Sequence, residues 1–378
     1  MQQTPCNQAI LPLTCEIFVR KDLTILIMSD IKEILHLAVK KGASDIFILA
    51  GLPVSVKKDE IIHPIEDTKV NHVYAEQLIC GLYELAGRNM SAFIETGDDD
   101  FSASISGVSR FRINAYRQRG SMAAVIRVVH FEIPGYKDLN IPEAVMSVAE
   151  NTHGLILVTG PSGSGKSTTQ ACIIDSINEH RNAHIVILED PIEYLHSNKK
   201  SVISQREIGC DSKSYLTALR ASLRQAPNVI LLGEMRDYET IQVAMTAAET
   251  GHLVIATLHT VGAVNSIDRI IDVFPSTQQA QIRMQLSMIL RSVISQFLVP
   301  GKSGTMLPAF EIMHVNNSIR NLIRESKTHQ IGVVIQACGN EGMIGMDKAI
   351  ERHFRNGLIT KETAMKFSSK TETLERKA

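Results

Sequence analysis

Three things are scarce in this chain of 378 residues, and each scarcity excludes a class of protein. Charge of one sign is the first: 39 lysines and arginines against 40 aspartates and glutamates leave a net charge of -1. Such a balance gives no general attraction to nucleic acid or anionic lipid. It counts against a RecA-like nucleic-acid translocase, and no nucleic-acid partner is expected. Paired cysteine is the second. Cys6, Cys15, Cys80, Cys172, Cys210 and Cys338 include no C-x-x-C, so neither a zinc site nor a disulfide framework is indicated, and a reducing cytoplasm fits. Long apolar runs are the third. No stretch approaches the ~20 residues that span a bilayer. Lys21-Asp22 follows the first apolar residues instead of preceding them, the wrong order for a signal peptide.

What the chain does have is 44% apolar residues, enough at this length for two or three domains with sizeable cores. One stretch organises the rest. Leu155 to Val158 reads as a short buried strand and breaks into Gly160-Pro161-Ser162-Gly163-Ser164-Gly165-Lys166-Ser167-Thr168. Ile173, Ile174 and Ile177 then fall on one face of a helix. Glycines between a strand and a helix start let successive backbone N–H groups point inward, and the helix N-terminus adds partial positive charge. This is the P-loop pattern in its proper setting. Lys166 is expected to reach the β- and γ-phosphates of ATP, and the Ser167 hydroxyl to ligate Mg2+.

Before that stretch, residues 1–28 show no steady period and are expected to be a poorly ordered extension, with Met28 a candidate natural start. Residues 29–132 read as a mixed α/β domain. Ser29 or Asp30 caps a helix carrying Ile31, Ile34, Leu35 and Ala38, and strand patterns follow, with a helix from His72 to Leu85 among them. Residues 133–142, with two prolines and a glycine, read as a linker. Residues 143–366 alternate strands (Leu155 to Val158, His184 to Leu188, Val229 to Leu232, Leu253 to Thr257) with helices, which implies βαβ units and a mainly parallel sheet covered on both faces. Residues 367–378 are a polar tail, expected to be disordered.

Nucleotide hydrolysis with Mg2+ needs carboxylates beside the phosphate loop. Val229-Ile-Leu-Leu-Gly-Glu234 has the Walker B form, and His184-Ile-Val-Ile-Leu-Glu189-Asp190-Pro191-Ile-Glu193 is a second acid-tipped strand that Pro191 stops. His252 and His259 flank a further strand, where His259 is placed to report on a γ-phosphate. Arg110, Arg112, Arg117, Arg119 and Arg127 put five arginines into eighteen residues of the first domain. Their plain reading is a solvated strand face. Their functional reading is a charge clamp for a neighbour's nucleotide, which would make a ring the active form.

Together these stretches resemble the secretion-superfamily ATPases, and within them the type IV pilus retraction motors, from about Ser29 to Met365. The elements that carry the resemblance are Arg110-Phe-Arg-Ile-Asn, the P-loop, Glu189-Asp-Pro-Ile-Glu-Tyr, Leu232-Gly-Glu-Met-Arg-Asp and Thr250-Gly-His-Leu-Val-Ile-Ala-Thr-Leu-His-Thr260. The resemblance implies a RecA-like P-loop ATPase domain preceded by a smaller PAS-like α/β domain. It also implies a cytoplasmic homohexamer, peripheral to the inner membrane and working on a pilus platform protein there. Of the residues it assigns, Glu193 is the catalytic carboxylate, Glu234 the Walker B acid and a metal ligand, His252 and His259 the His-box pair, and Arg112, Arg119 and Arg127 the candidates to reach a neighbour's nucleotide. Asn317-Ser-Ile-Arg-Asn-Leu-Ile-Arg-Glu325 resembles the motif associated with retraction and twitching motility, with Ser318 replacing an alanine. The alternative within the superfamily is a pilus-assembly or type II/IV secretion motor. Phe47, and the stretch Gly51 to Glu60, depart from the family pattern.

Overall fold

The structure, a computed structural model, describes residues 21–58, 61–129 and 133–368. It divides into two compact units, one up to Val129 and one from residue 130 on. Residues 1–20 of the expected extension and 369–378 of the expected tail lie outside the described residues.

The first unit is one antiparallel sheet of β1 (Asp45–Ile48), β2 (Pro53–Lys58), β3 (Ile61–Lys69), β4 (Asp98–Ile105), β5 (Ser109–Gln118) and β6 (Ser121–Val129), in the order β3-β2-β1-β6-β5-β4. Period-two alternation settles its faces: Phe111, Ile113 and Ala115 of β5 are fully buried while Arg112 points to solvent. That inner face packs with Ile31, Leu35, Leu78 and Leu82 of two helices, Lys21–Lys40 and His72–Ala86. The first of these helices starts at Lys21, not at the cap expected around Ser29 and Asp30. The apolar run Leu23 to Met28 continues the helical spacing, so those two polar residues fall in its interior.

The second unit is a seven-stranded sheet of β7 (Gly154–Thr159), β8 (His184–Glu189), β9 (Val202–Glu207), β10 (Val229–Leu232), β11 (Leu253–Leu258), β12 (Leu290–Pro300) and β13 (Met306–His314). The order is β13-β12-β7-β11-β10-β8-β9. All neighbours are parallel except β12 and β13. Every residue of β7, β10 and β11 is buried, as a sheet covered on both faces requires. Leu155, Leu157, Val186 and Leu188 face one core, with the helices Tyr238–Glu249 and Ala263–Asp272. Ile156, Val158, Ile185 and Ile187 face the other, with Ile173, Ile174 and Ile177 of the helix Lys166–His180. Residues 133–142 pack on this second core, with Ile141 buried and Ile133, Tyr136 and Leu139 partly so.

Because β7, β8, β10 and β11 run parallel, Gly160, Glu189, Gly233 and His259 all lie at the same end of the sheet. Removing packing from its centre should be costly. Ile255→Ala, at a fully buried position of β11, is expected to lower stability by about 2–5 kcal/mol, read from the denaturant midpoint of the second unit's unfolding.

Candidate active site

Close packing shapes the phosphate loop. Gly160 adopts φ 142° directly after β7, and a Cβ there would lie 2.3 Å from the backbone oxygen of Gln296 on β12. At Gly165, φ is 84° and a Cβ would meet the Gln296 amide nitrogen at 2.9 Å. Only glycine allows both the backbone turn and the approach. Gln296 itself is buried and its Oε1 accepts from Thr169 Oγ1 at 2.7 Å. One residue of β12 thus supports both the loop and the first turn of its helix. Sequence reasoning missed it, because a glutamine inside an apolar strand carries no motif.

Lys166 is folded back on the loop, donating from Nζ to the carbonyls of Gly160 (2.9 Å) and Pro161 (2.8 Å). Burial lowers its pKa, and the charges of Glu193 and Glu234 oppose that shift. Beside it opens a cleft of about 360 Å³. Its lining includes Ser162, Gly163, Gly165, Lys166, Ser167 and Thr168 of the loop, together with Glu193, Glu234 and His259. Tyr215, Thr257 and Gln170 line it too, and none of the three was expected.

Neighbouring strands hold the acids. After β10, Gly233 N donates to Leu188 O at 2.7 Å, Thr257 Oγ1 donates to Gly233 O, and Met235 N donates to Thr257 O at 3.1 Å. This fixes Glu234 between β8 and β11. Its Oε2 lies 2.7 Å from Arg236 Nε and 3.5 Å from His259 Nε2. Glu193 is bracketed from β9: Ile192 N donates to Glu207 Oε2 at 3.2 Å, and Gln205 Nε2 donates to Tyr194 O at 2.8 Å. The Tyr194 hydroxyl shares a 2.9 Å bond with Thr168 Oγ1, which ties the acidic segment to the phosphate loop. Strand β9 was not expected, since Val202-Ile-Ser-Gln-Arg-Glu207 at a sheet edge has too little apolar content to read as a strand.

Two groups of expected residues lie elsewhere. His252 precedes β11, at the end opposite the cleft, where Nδ1 lies 3.0 Å from Ala247 O. Arg112, Arg119 and Arg127 belong to the first unit, while the cleft lining comes from the second. Arg112 and Arg127 face each other across β5 and β6, and Arg127 Nε pairs with Asp45 Oδ1 at 3.0 Å. Arg119 occupies the turn between those strands with φ 47°.

Chemically, the cleft offers backbone donors and a lysine for phosphate, and carboxylates for a metal and a water. Among the described residues no cluster of three or more His, Cys, Asp or Glu makes a metal cage. A site made of one hydroxyl, one acid and the substrate's own phosphates is how Mg2+ is usually held, and Ser167 and Glu234 fit it. The sheet order and the cleft define a P-loop ATPase whose RecA-like domain follows a smaller α/β domain.

The model of the Type II/IV secretion system protein family matches residues 20–358, and the chain belongs to that family. It is 43% identical over 336 residues to the type IV pilus retraction ATPase PilT of Pseudomonas aeruginosa, covering 89% of this chain and 97% of that protein. A twitching motility protein of Neisseria gonorrhoeae is 46% identical over 276 residues, 73% of this chain and 74% of that protein. The crystal structure of the pilus retraction motor PilT with bound ADP superposes with a TM-score of 0.83 at 44% identity, over 93% of this chain and 99% of that one.

Two outcomes test the site. Gly160→Ala forces a Cβ against the Gln296 carbonyl and should weaken ATP binding at least about tenfold, roughly 1.4 kcal/mol, measured by titration calorimetry. The second concerns Glu189, half-buried at the end of β8. Burial, with Glu193 and Glu207 nearby, pushes its carboxyl from 4.5 up to about 8. Between those values the folded protein keeps a proton that the unfolded chain has lost, so this group's contribution to stability falls as pH rises through the window. Glu189→Gln should therefore gain on wild type from pH about 4.5 to 8 and level off above, read from urea midpoints across a pH series.

Proposed function

We propose that this chain is the ATPase motor of type IV pilus retraction, hydrolysing ATP as a homohexamer at the cytoplasmic face of the inner membrane, where a platform protein receives the force. The observation that carries the reading is identity to a retraction ATPase along almost the whole of both chains. By contrast, the type II secretion system protein E of Xanthomonas campestris matches over only 33% of this chain. The stretch Asn317 to Glu325, whose residues resemble the motif associated with retraction, forms the helix Asn317–Arg324; its amphipathic pattern alone does not select retraction. Asn316 caps that helix, Ile319 and Ile323 are buried, and Arg324 and Glu325 are left on the surface. Among the described residues no helix is long and apolar enough to cross a membrane.

The residues then divide the work. Phosphate oxygens replace the loop carbonyls as partners of Lys166, and backbone N–H groups from Gly163 to Thr168 cradle the rest. Ser167 and Glu234 hold Mg2+, which supplies neutralisation of charge on the β- and γ-phosphates. Glu193 accepts the proton of the attacking water. The new O–P bond forms as the bond from the γ-phosphorus to the bridging oxygen breaks, and ADP leaves with that electron pair. His259, beside Glu234, registers the loss of the γ-phosphate. Arg112, Arg119 and Arg127 are offered to a neighbouring subunit's nucleotide, so that hydrolysis loosens a seam between subunits.

Lys166→Ala and Glu193→Gln should each lower kcat by at least about a hundredfold without unfolding the protein. Specific activity of the wild type should rise with protein concentration, and a mixture of Arg112→Ala with Lys166→Ala should recover turnover that neither has alone. Activity independent of concentration, with no recovery on mixing, would remove the shared-site motor. A deletion strain should carry abundant surface pili and lose twitching; absence of pili would instead make the chain an assembly motor.

A further inference from the structure

The helix after the phosphate loop buries four polar side chains, and three of them are matched within the chain. Lys166 bonds the loop carbonyls, Thr169 bonds Gln296, and Asn178 donates to Ser197 O at 2.8 Å while accepting from Lys199 N at 3.0 Å. Gln170 is the exception. It is 3% exposed, yet its amide nitrogen is enclosed and has no hydrogen-bond partner among the described residues. Burying an unmatched amide is costly, and an apolar residue of similar size would avoid the cost. The residue also lines the cleft, one helical turn beyond Lys166, together with Glu189 and Glu193.

We infer that Gln170 is a further catalytic residue, whose carboxamide orients the water that attacks the γ-phosphate; this rests on the ATPase reading above. An attacking water needs an acceptor for the proton it gives up, a partner for its second O–H, and a lone pair left facing phosphorus. Glu193 provides the first. The oxygen of the Gln170 carboxamide accepts the second O–H, and its nitrogen donates to the carboxylate, which keeps acid and water in register. Glutamine suits this task because it orients water without competing for the proton. The phosphates already have Lys166 and the loop N–H groups, so the role falls on the water. As water adds to phosphorus, its proton passes to Glu193 and the bridging oxygen departs with ADP.

The test compares wild type with Gln170→Met, which keeps the volume and removes the amide, and with Gln170→Leu as a second apolar variant. Three quantities are read: kcat for ATP, ADP affinity by calorimetry, and the melting temperature without nucleotide. The expected result is a 10- to 100-fold fall in kcat, ADP affinity within twofold, and a melting temperature equal to or above wild type. A purely structural glutamine would not separate turnover from stability in that direction. Turnover within twofold of wild type in both variants would overturn the inference. So would a loss of ADP affinity that accounts for the fall in rate, because the amide would then hold phosphate. Parallel losses of melting temperature and kcat in both variants would overturn it as well. Failure of the wild type itself to hydrolyse ATP would refute the ATPase reading and the inference with it, whereas a working wild type beside unimpaired variants removes the inference alone.

Discussion

The contact between the phosphate loop and strand β12 is the constraint on which the site depends. A Cβ at Gly160 would strike the Gln296 backbone, Gly165 combines a left-handed φ with a close approach to the Gln296 side chain, and the bond from Thr169 to the same residue fixes the helix start. A phosphate cradle works only if its N–H groups are already aimed, since ordering a loop at the moment of binding would consume affinity. The next-door residue extends the arrangement. Ser295 Oγ accepts from Gly262 N at 2.9 Å, so two successive residues of β12 steady the P-loop and the segment after His259. Further along, β12 and β13 carry Val299 and Ala309 into a small core with Ile350, Ile359 and Ala364. The nucleotide loops and the C-terminal helices therefore share one hairpin.

Electrostatics set the resting state of the cleft. Lys166 is turned onto carbonyls of its own loop, while Glu189, Glu193 and Glu234 line the opposite side. An anionic substrate entering such a site needs cations to come with it or to reach it, and Lys166 is the cation at hand. The raised carboxyl of Glu189 has burial as its main cause, and the neighbouring charges of Glu193 and Glu207 add to it. Glu234, by contrast, pairs with Arg236 and lies beside His259.

The placing of Glu193 shows how an edge strand serves a centre it does not line. Glu207 and Gln205 reach from β9 to the residues on either side of Glu193, and Tyr194 reaches on to Thr168. An acid on a loop after a strand has few contacts of its own, and precision has to come from its neighbours.

The sequence by itself determined the phosphate loop, the two acid-tipped strands, the alternating face of β5 and the class of the protein. Each is a local pattern: glycines at fixed offsets, four apolar residues ending in an acid, side chains at period two. Near full-length motif identity then pointed to a retraction motor where periodicity could not. Only the tertiary structure decided what holds those pieces in place. Gln296, Gln205 and Glu207 read as unremarkable polar residues because their partners, Thr169, Tyr194 and Ile192, lie on a helix and a loop elsewhere in the chain, and Gln170 reads as one more helix former because only the fold places it at the cleft. The strands β9, β12 and β13 escaped for the same physical reason. Local propensity is weak at element ends and sheet edges, and pairing with a distant segment supplies what the local pattern lacks. His252 and His259 show the limit from the other side: two histidines flanking one strand look equivalent in sequence, but a parallel sheet gathers its functional groups at one end only, and it is His259 that arrives there.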